Sequence, residues 1–95
     1  MKTAADTYAV SEHELQVDYT ENAEERVIAF TLGTQTIEIA TPRRGYGMLI
    51  VRDSHKGELE RYYGLSMAID HVGEILGVPP HSIPIPEDAD DFGIE

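Results

Sequence analysis

Cysteine and tryptophan are both missing from this chain, and phenylalanine occurs only twice. Without cysteine there are no disulfide bonds and no thiolate ligands, so a disulfide-stabilised fold, a closed structural zinc site and thiol chemistry are excluded. With so few large aromatic rings, the hydrophobic core has to be built mainly from isoleucine, leucine, valine and tyrosine.

Long apolar segments are lacking as well. No stretch approaches the roughly 20 apolar residues of a membrane helix, and the opening MKTAADTYAV has no apolar run of the kind that a signal peptide needs. A length of 95 residues corresponds to one domain with a single modest core. The sequence therefore predicts a cytoplasmic domain with no membrane segment and no cofactor.

Basic residues are scarce. Aspartate and glutamate total 18 against 7 lysines and arginines, which gives a net charge of −11, and only Lys2 and Lys56 are lysines. A carboxylate-rich, lysine-poor surface is typical of proteins that work in concentrated salt, where a Debye length of about 3 Å at 1 M screens the repulsion. The composition thus indicates a halophilic protein.

This composition predicts that stability depends on salt. In dilute buffer the carboxylates repel one another, so the melting temperature is expected to rise between low and multimolar KCl. Thermal melts followed by circular dichroism would measure the shift. Equal melting temperatures in the two buffers would contradict the halophilic interpretation.

One segment has a clear helical period. Residues 65–76 place their apolar side chains at the i, i+3, i+4, i+7 spacing of one face. Ser66 is a candidate N-cap, and Gly77 followed by Pro79-Pro80 predicts the C-terminal end. The polar side of this helix offers no motif of known chemistry.

The segments before the helix alternate as strands do. Turns are predicted at Gly33-Thr34 and at Gly57, where glycine supplies a positive φ. Residues 1–6 are predicted to be a short arm, and a change of phase near residues 11–13 indicates either a bulge or a junction between two strands. The predicted strands are 13–20, 26–32, 36–40, 48–51 and 58–63.

Together these elements predict an α+β fold. It consists of an antiparallel β-meander of about five strands, with one α-helix at about residues 65–76 packed on one face. Residues 81–86 alternate with proline and are expected to form an extended strap. The domain spans residues 1–86, and the acidic residues 87–95 are predicted to be a partly disordered tail.

A locally basic window suggests an anion site. Residues 43–61 carry five bases against three acids, and Arg43, Arg44 and Tyr46 lie in the glycine-containing loop TPRRGYG. Such a group suits phosphate, a nucleotide or an RNA backbone, although the arginines could equally pair with neighbouring acids. The loop matches neither the Walker nor the dinucleotide motif, and the acidity of the rest of the chain disfavours nucleic acid.

The predicted helix is too small to cover the sheet. Apolar residues also fall on the opposite face of the sheet, including Val27 and Ala29, and the strap 81–86, a curled sheet or a second copy of the chain could cover them. Met48, Ile50 and Tyr62 are the candidate interface residues, because tyrosine and methionine are enriched in interface cores. The alternative for the tyrosines is that their rings pack within the monomer, one of them under the helix. Of the three possible covers we favour the second copy, so the sequence predicts a homodimer.

No catalytic constellation or metal-ligand spacing is visible. The leading interpretation is therefore a non-enzymatic interaction or regulatory module, which could bind a protein partner. One alternative is an anion, nucleotide or RNA-phosphate binder that uses Arg43, Arg44 and Tyr46. A second is an enzyme with a site at the dimer interface, where His55 or His71 would act as a base.

Overall fold

The computed structural model describes residues 2–10, 13–42, 48–53, 55–89 and 92, with the backbone alone for residues 2–5 and 88. Within these ranges lie six strands, one α-helix and two 3-10 helices. The strands are β1 (Lys2–Val10), β2 (His13–Glu21), β3 (Glu25–Leu32), β4 (Gln35–Pro42), β5 (Leu49–Asp53) and β6 (Gly57–Tyr62). The helix α1 is Leu65–Leu76, and the 3-10 helices are Pro80–Ser82 and Glu87–Ala89. None of the helices in this part of the chain is long and apolar enough to cross a membrane.

The six strands form one antiparallel sheet in the order β1-β2-β3-β4-β5-β6, so each strand pairs with its neighbours along the chain. The helix packs against β4, β5 and β6. This arrangement confirms the predicted α+β meander with a helix on one face, with one strand more than expected.

The additional strand is β1. Residues 1–6 were expected to form an arm, but from Lys2 onward the chain pairs with β2 in continuous register. Lysine, alanine and aspartate are poor strand formers, so this strand depends on pairing with β2 rather than on its own propensity. The change of phase near residues 11–13 marks a junction of two strands, with Val10 paired to His13.

The inner face of the sheet, which faces the helix, holds the core. Its central side chains are almost completely buried: Leu15, Val17, Tyr19, Ile28, Phe30, Ile37, Ile39, Leu49 and Val51. The helix covers only the β4–β6 half of this face. The segment after the helix, which we call the covering segment, adds Val78, Ile83, Ala89 and Phe92 to the same cluster, and the Phe92 ring covers Tyr19 of β2.

An aromatic contact fixes the far end of that covering segment. The rings of Tyr19 and Phe92 meet edge to face with centroids 6.3 Å apart. The guanidinium of Arg26 lies 4.7 Å from the Phe92 centroid and 5.8 Å from that of Tyr19, and its Nε donates to the Tyr19 hydroxyl at 2.8 Å. Phe92 is therefore part of the core, although it lies in the acidic stretch 87–95.

The C-terminal end of α1 follows the prediction. Gly77 has φ 75°, and the N–H groups of Gly77 and Val78 donate to the carbonyl of Gly73 at 2.8 and 3.0 Å. The predicted N-cap is wrong. Gly64 occupies that position without a side-chain cap, and Ser66 lies one residue inside the helix.

The outer face of the sheet carries an ion-pair network. The guanidinium of Arg52 donates to Glu38 at 2.7 Å and to Glu25 at 2.8 Å, and these hydrogen bonds, led by that to Glu25, raise the pKa of Arg52. By register, Val27 and Ala40 lie between the two glutamates, and both are buried. The apolar centre of this face is thus crossed by a charged side chain.

A bulge interrupts the pairing of β5 with β6. Val51 is opposite Glu60, whereas Arg52 is already opposite Glu58. The bulge turns Glu58 and Arg61 to the same face, where their side chains form an ion pair. Gly33 and Gly57 have φ 64° and 85°, as the turn predictions require.

Asp53 is a buried carboxylate at the β5–β6 turn. It accepts the backbone N–H groups of His55 and Lys56 at 2.7 and 3.1 Å. The hydrogen bond from His55 is the largest cause that lowers the pKa of Asp53 below its ordinary value of 3.8. The ionised carboxylate therefore holds this turn together.

The lowered pKa of Asp53 predicts a specific acid sensitivity. A group with a depressed pKa in the folded state stabilises the fold above its unfolded pKa, and this contribution is lost as the pH falls through the folded value. Between about pH 5 and pH 2, the free energy of unfolding is expected to fall more for the native protein than for Asp53→Asn. Urea titrations at several pH values would measure both slopes, and parallel slopes would contradict the assignment.

Candidate functional site

The predicted anion loop cannot be placed. Arg43, Arg44 and Tyr46 lie outside the described residues, so binding of an anion by this loop stays a prediction.

The three predicted interface residues do not share one surface. Ile50 is opposite Ala40 and Arg61 on the outer face, and Met48 is half-buried just before β5. Tyr62 is opposite Leu49 and faces the helix. The structure therefore groups Tyr62 with α1 rather than with Met48 and Ile50.

A different surface stands out by its exposed apolar side chains. Four large apolar side chains are exposed among the described residues: Tyr63 by 65%, Met67 by 59%, Ile85 by 42% and Leu59 by 37%. Tyr63 comes two residues before α1, Met67 is in its first turn, and Ile85 shares a cleft with the same turn. We call Tyr63, Met67, Ile85 and the two clefts beside them the helix-start surface.

The first cleft lies between β6 and α1 and has a volume of about 170 Å³. Its lining residues are Tyr62, Met67, Asp70, His71 and Glu74. The Tyr62 and His71 rings pack at a centroid distance of 5.7 Å, and His71 Nδ1 lies 4.0 Å from a Glu74 carboxylate oxygen. The cleft thus combines an aromatic wall with two carboxylates.

The electrostatic character of this cleft shows in its tyrosine. Burial raises the pKa of Tyr62, and the nearby carboxylates of Glu60 and Glu74 raise it further. Both carboxylates raise this pKa because their negative charges repel the negatively charged phenolate that forms when Tyr62 loses its proton. Burial and the carboxylates together therefore disfavour negative charge in this cleft.

The second cleft lies on the other side of α1, against the segment after the helix. It has a volume of about 390 Å³ and is lined by Ser66, Ile69, Asp70, Pro80, His81, Ile83 and Ile85. Asp70 lines both clefts, so they meet at this exposed carboxylate. The second cleft is the larger and the more aliphatic of the two.

The two histidines predicted as catalytic bases lie on different elements. His71 has an acidic neighbour, but the first cleft is smaller than the roughly 300–1,000 Å³ of a typical small-molecule site. His55, the other predicted base, lies on the exposed β5–β6 turn. Within the described ranges, no group of three His, Cys, Asp or Glu residues could hold a metal ion.

Met67 and Ile85 were missed by the sequence reasoning. The polar side of the helix was set aside because Asp70, His71 and Glu74 form no motif. A usable indication was present, since Met67 falls on that polar side and interrupts it with a large apolar side chain. Ile85 lies in the predicted strap, and unlike Ile83 in the same strap it is exposed.

Comparisons with known proteins supply a family but no activity. Neither the curated proteins nor the solved structures contain a match to this chain. A family model does match, over residues 9–94, which include all of β2 to α1 and the covering segment but only the last two residues of β1. Because this match spans most of the chain, the chain belongs to DUF7111, a family of unknown function.

Proposed function

We propose that this protein is a non-enzymatic interaction module and that the helix-start surface is where it binds a partner protein. The observation that supports the proposal is the gathering of exposed apolar side chains, Tyr63, Met67 and Ile85, around the first turn of one helix. Single exposed apolar residues are common on any protein, whereas here three of the four in the described residues lie in or just before the first turn of one helix or share a cleft with that turn.

The chemistry of these side chains also favours a protein partner. Tyrosine and methionine are enriched at the centres of protein interfaces, and interface hot spots are usually side chains seated in preformed pockets. The two clefts provide such pockets on either side of α1. The helix itself is anchored by buried Leu65, Ala68 and Val72, so the surface is rigid before a partner arrives.

Site-specific photocrosslinking in cells of the organism that naturally makes this protein tests the proposal. Benzoylphenylalanine would replace Met67 in one variant and Tyr63 in another, and matched controls would carry it at the exposed polar positions Glu14 and Glu24. We expect positions 63 and 67 to crosslink to the same protein, with the controls giving no such product. Crosslinks at 63 and 67 no stronger than those of the controls would overturn the proposal.

The predicted homodimer is a separate proposal that concerns the outer face. Its remaining candidates are Met48 and Ile50, both half-buried in the single chain, and a second copy on this face would leave the helix-start surface free. Light scattering in multimolar KCl is expected to give twice the mass of one chain. The mass of a monomer at high protein concentration would contradict the dimer.

A further inference from the structure

We infer that the partner segment bound at the helix-start surface is basic and apolar, with a lysine or arginine beside a bulky aliphatic side chain. This inference rests on the proposed function and adds the chemistry of the partner to it. It starts from the first cleft, whose walls are Tyr62 and Met67 and whose rim carries Asp70 and Glu74.

The first cleft matches a long basic side chain in both size and charge. The stem of a lysine or arginine can lie along the apolar surface of Met67 while its charged end reaches the carboxylates. The face of an aromatic ring such as Tyr62 also attracts a cation. The positive charge would meet the same carboxylate field that raises the pKa of Tyr62.

The carboxylates of this surface have little positive charge of their own nearby. No lysine or arginine of the described residues lines either cleft. Arg61, the base closest in sequence, is paired with Glu58, and Arg52 is held by Glu25 and Glu38. The described lining of the two clefts therefore holds no lysine or arginine to balance these carboxylates, and a partner can supply that charge.

The second cleft adds an apolar requirement. Ile69 and Ile83 form its buried floor and Ile85 its exposed edge, so an aliphatic side chain would be taken out of water there. Because both clefts meet at Asp70, the basic and the aliphatic residue of the partner must be close neighbours. This spacing distinguishes a specific docking segment from a merely basic one.

A second copy of this chain fits the same surface poorly. A symmetric contact would bring this surface of one copy against the same surface of the other, so Asp70 and Glu74 would be desolvated against a lining without lysine or arginine, which is costly. With a net charge of −11, the chain would also repel polyanions such as nucleic acid. Charge complementarity thus selects a basic protein segment as the occupant.

The test uses three synthetic peptides of equal length as probes: one of lysine and leucine, one of glutamate and leucine, and one of lysine and serine. The full chain would be labelled at its methionine methyl groups, and each peptide titration would be followed by NMR. The KCl concentration would be one at which circular dichroism shows that the protein is folded. Met67 is the reporter, and Met48, which lines neither cleft, is the internal control. We expect the lysine–leucine peptide alone to shift the Met67 signal and to leave Met48 unchanged.

Two double variants separate a specific charge effect from a general one. Asp70→Asn with Glu74→Gln is expected to raise the Kd of the lysine–leucine peptide about threefold, because exposed ion pairs each contribute little and salt screens them. Asp6→Asn with Glu24→Gln makes the same change of net charge at exposed positions elsewhere and is expected to change Kd less than about twofold. Equal weakening by both pairs would overturn the inference.

The remaining outcomes are also decisive. Binding of the glutamate–leucine or the lysine–serine peptide as tightly as the lysine–leucine peptide would overturn the inference. A change in the Met67 methyl signal on raising the protein concentration alone would also overturn it, because the occupant would then be a second copy of the chain. A specific crosslink at position 67 to a partner segment without basic residues would leave the proposed function standing and reject its basic chemistry. Absence of any specific crosslink would reject the proposed function itself.

Discussion

Replacing Phe92 by alanine is expected to lower the free energy of unfolding by about 3–5 kcal/mol, the range for deletion of a buried phenylalanine ring. The ring is only 3% exposed, and the substitution removes its contacts with both Tyr19 and Arg26. Because whole domains are stable by only about 5–15 kcal/mol, this change alone would bring the protein close to unfolding.

The matched control is Ile85→Ala, which removes a large apolar side chain from the same segment. Ile85 is 42% exposed, so its loss is expected to cost less than about 1 kcal/mol. Urea unfolding followed by circular dichroism would compare the two variants in the same KCl buffer. If Phe92→Ala cost no more than Ile85→Ala, the last part of the chain would not belong to the core.

Replacing Gly73 by alanine is expected to destabilise the protein by about 2 kcal/mol, within the usual cost of overpacking. Helix propensity alone favours alanine over glycine by about 1 kcal/mol, so the expected effect has the opposite sign. A Cβ at position 73 would lie 2.8 Å from the carbonyl oxygen of Val78 and 3.0 Å from Cγ of Pro80. Those atoms belong to the segment that follows the helix and turns back over the sheet.

Glu74→Ala is the control for this prediction. The substitution is in the next residue of the same helix, and Glu74 is exposed, so its effect is expected to stay within about 0.5 kcal/mol. Thermal melts of the two variants would give both values. A higher melting temperature for Gly73→Ala than for the native protein would show that the helix and the covering segment are less closely packed than described.

Local patterns in the sequence predicted the parts of the fold that local physics determines. The bounds of α1, 65–76, follow from an apolar period and a glycine stop, and both turn glycines follow from their need for positive φ. Strand β1 was missed because its residues have little strand propensity and depend on β2. The bulge in β6 was missed because nothing in its composition distinguishes it from regular alternation.

The candidate site was harder to predict for a related reason. Exposure of Ile85 depends on how the segment after the helix packs, and this segment was expected to be a strap followed by a tail. Grouping Tyr62 with Met48 and Ile50 used residue type, which does not indicate the side of a sheet on which a residue lies. The clefts arise only where three separate elements meet.

The division of the inner-face cover between the helix and the segment after it has a consequence for folding. In a meander every strand pairs with its chain neighbour, so the sheet can form by successive local hairpins, which is a fast route. Tyr19 gains its edge-to-face contact with Phe92 only when that residue, far along the chain, has docked. During synthesis the sheet would therefore be complete while half of its apolar face was still open to solvent, and in that interval the growing chain would be most prone to aggregation.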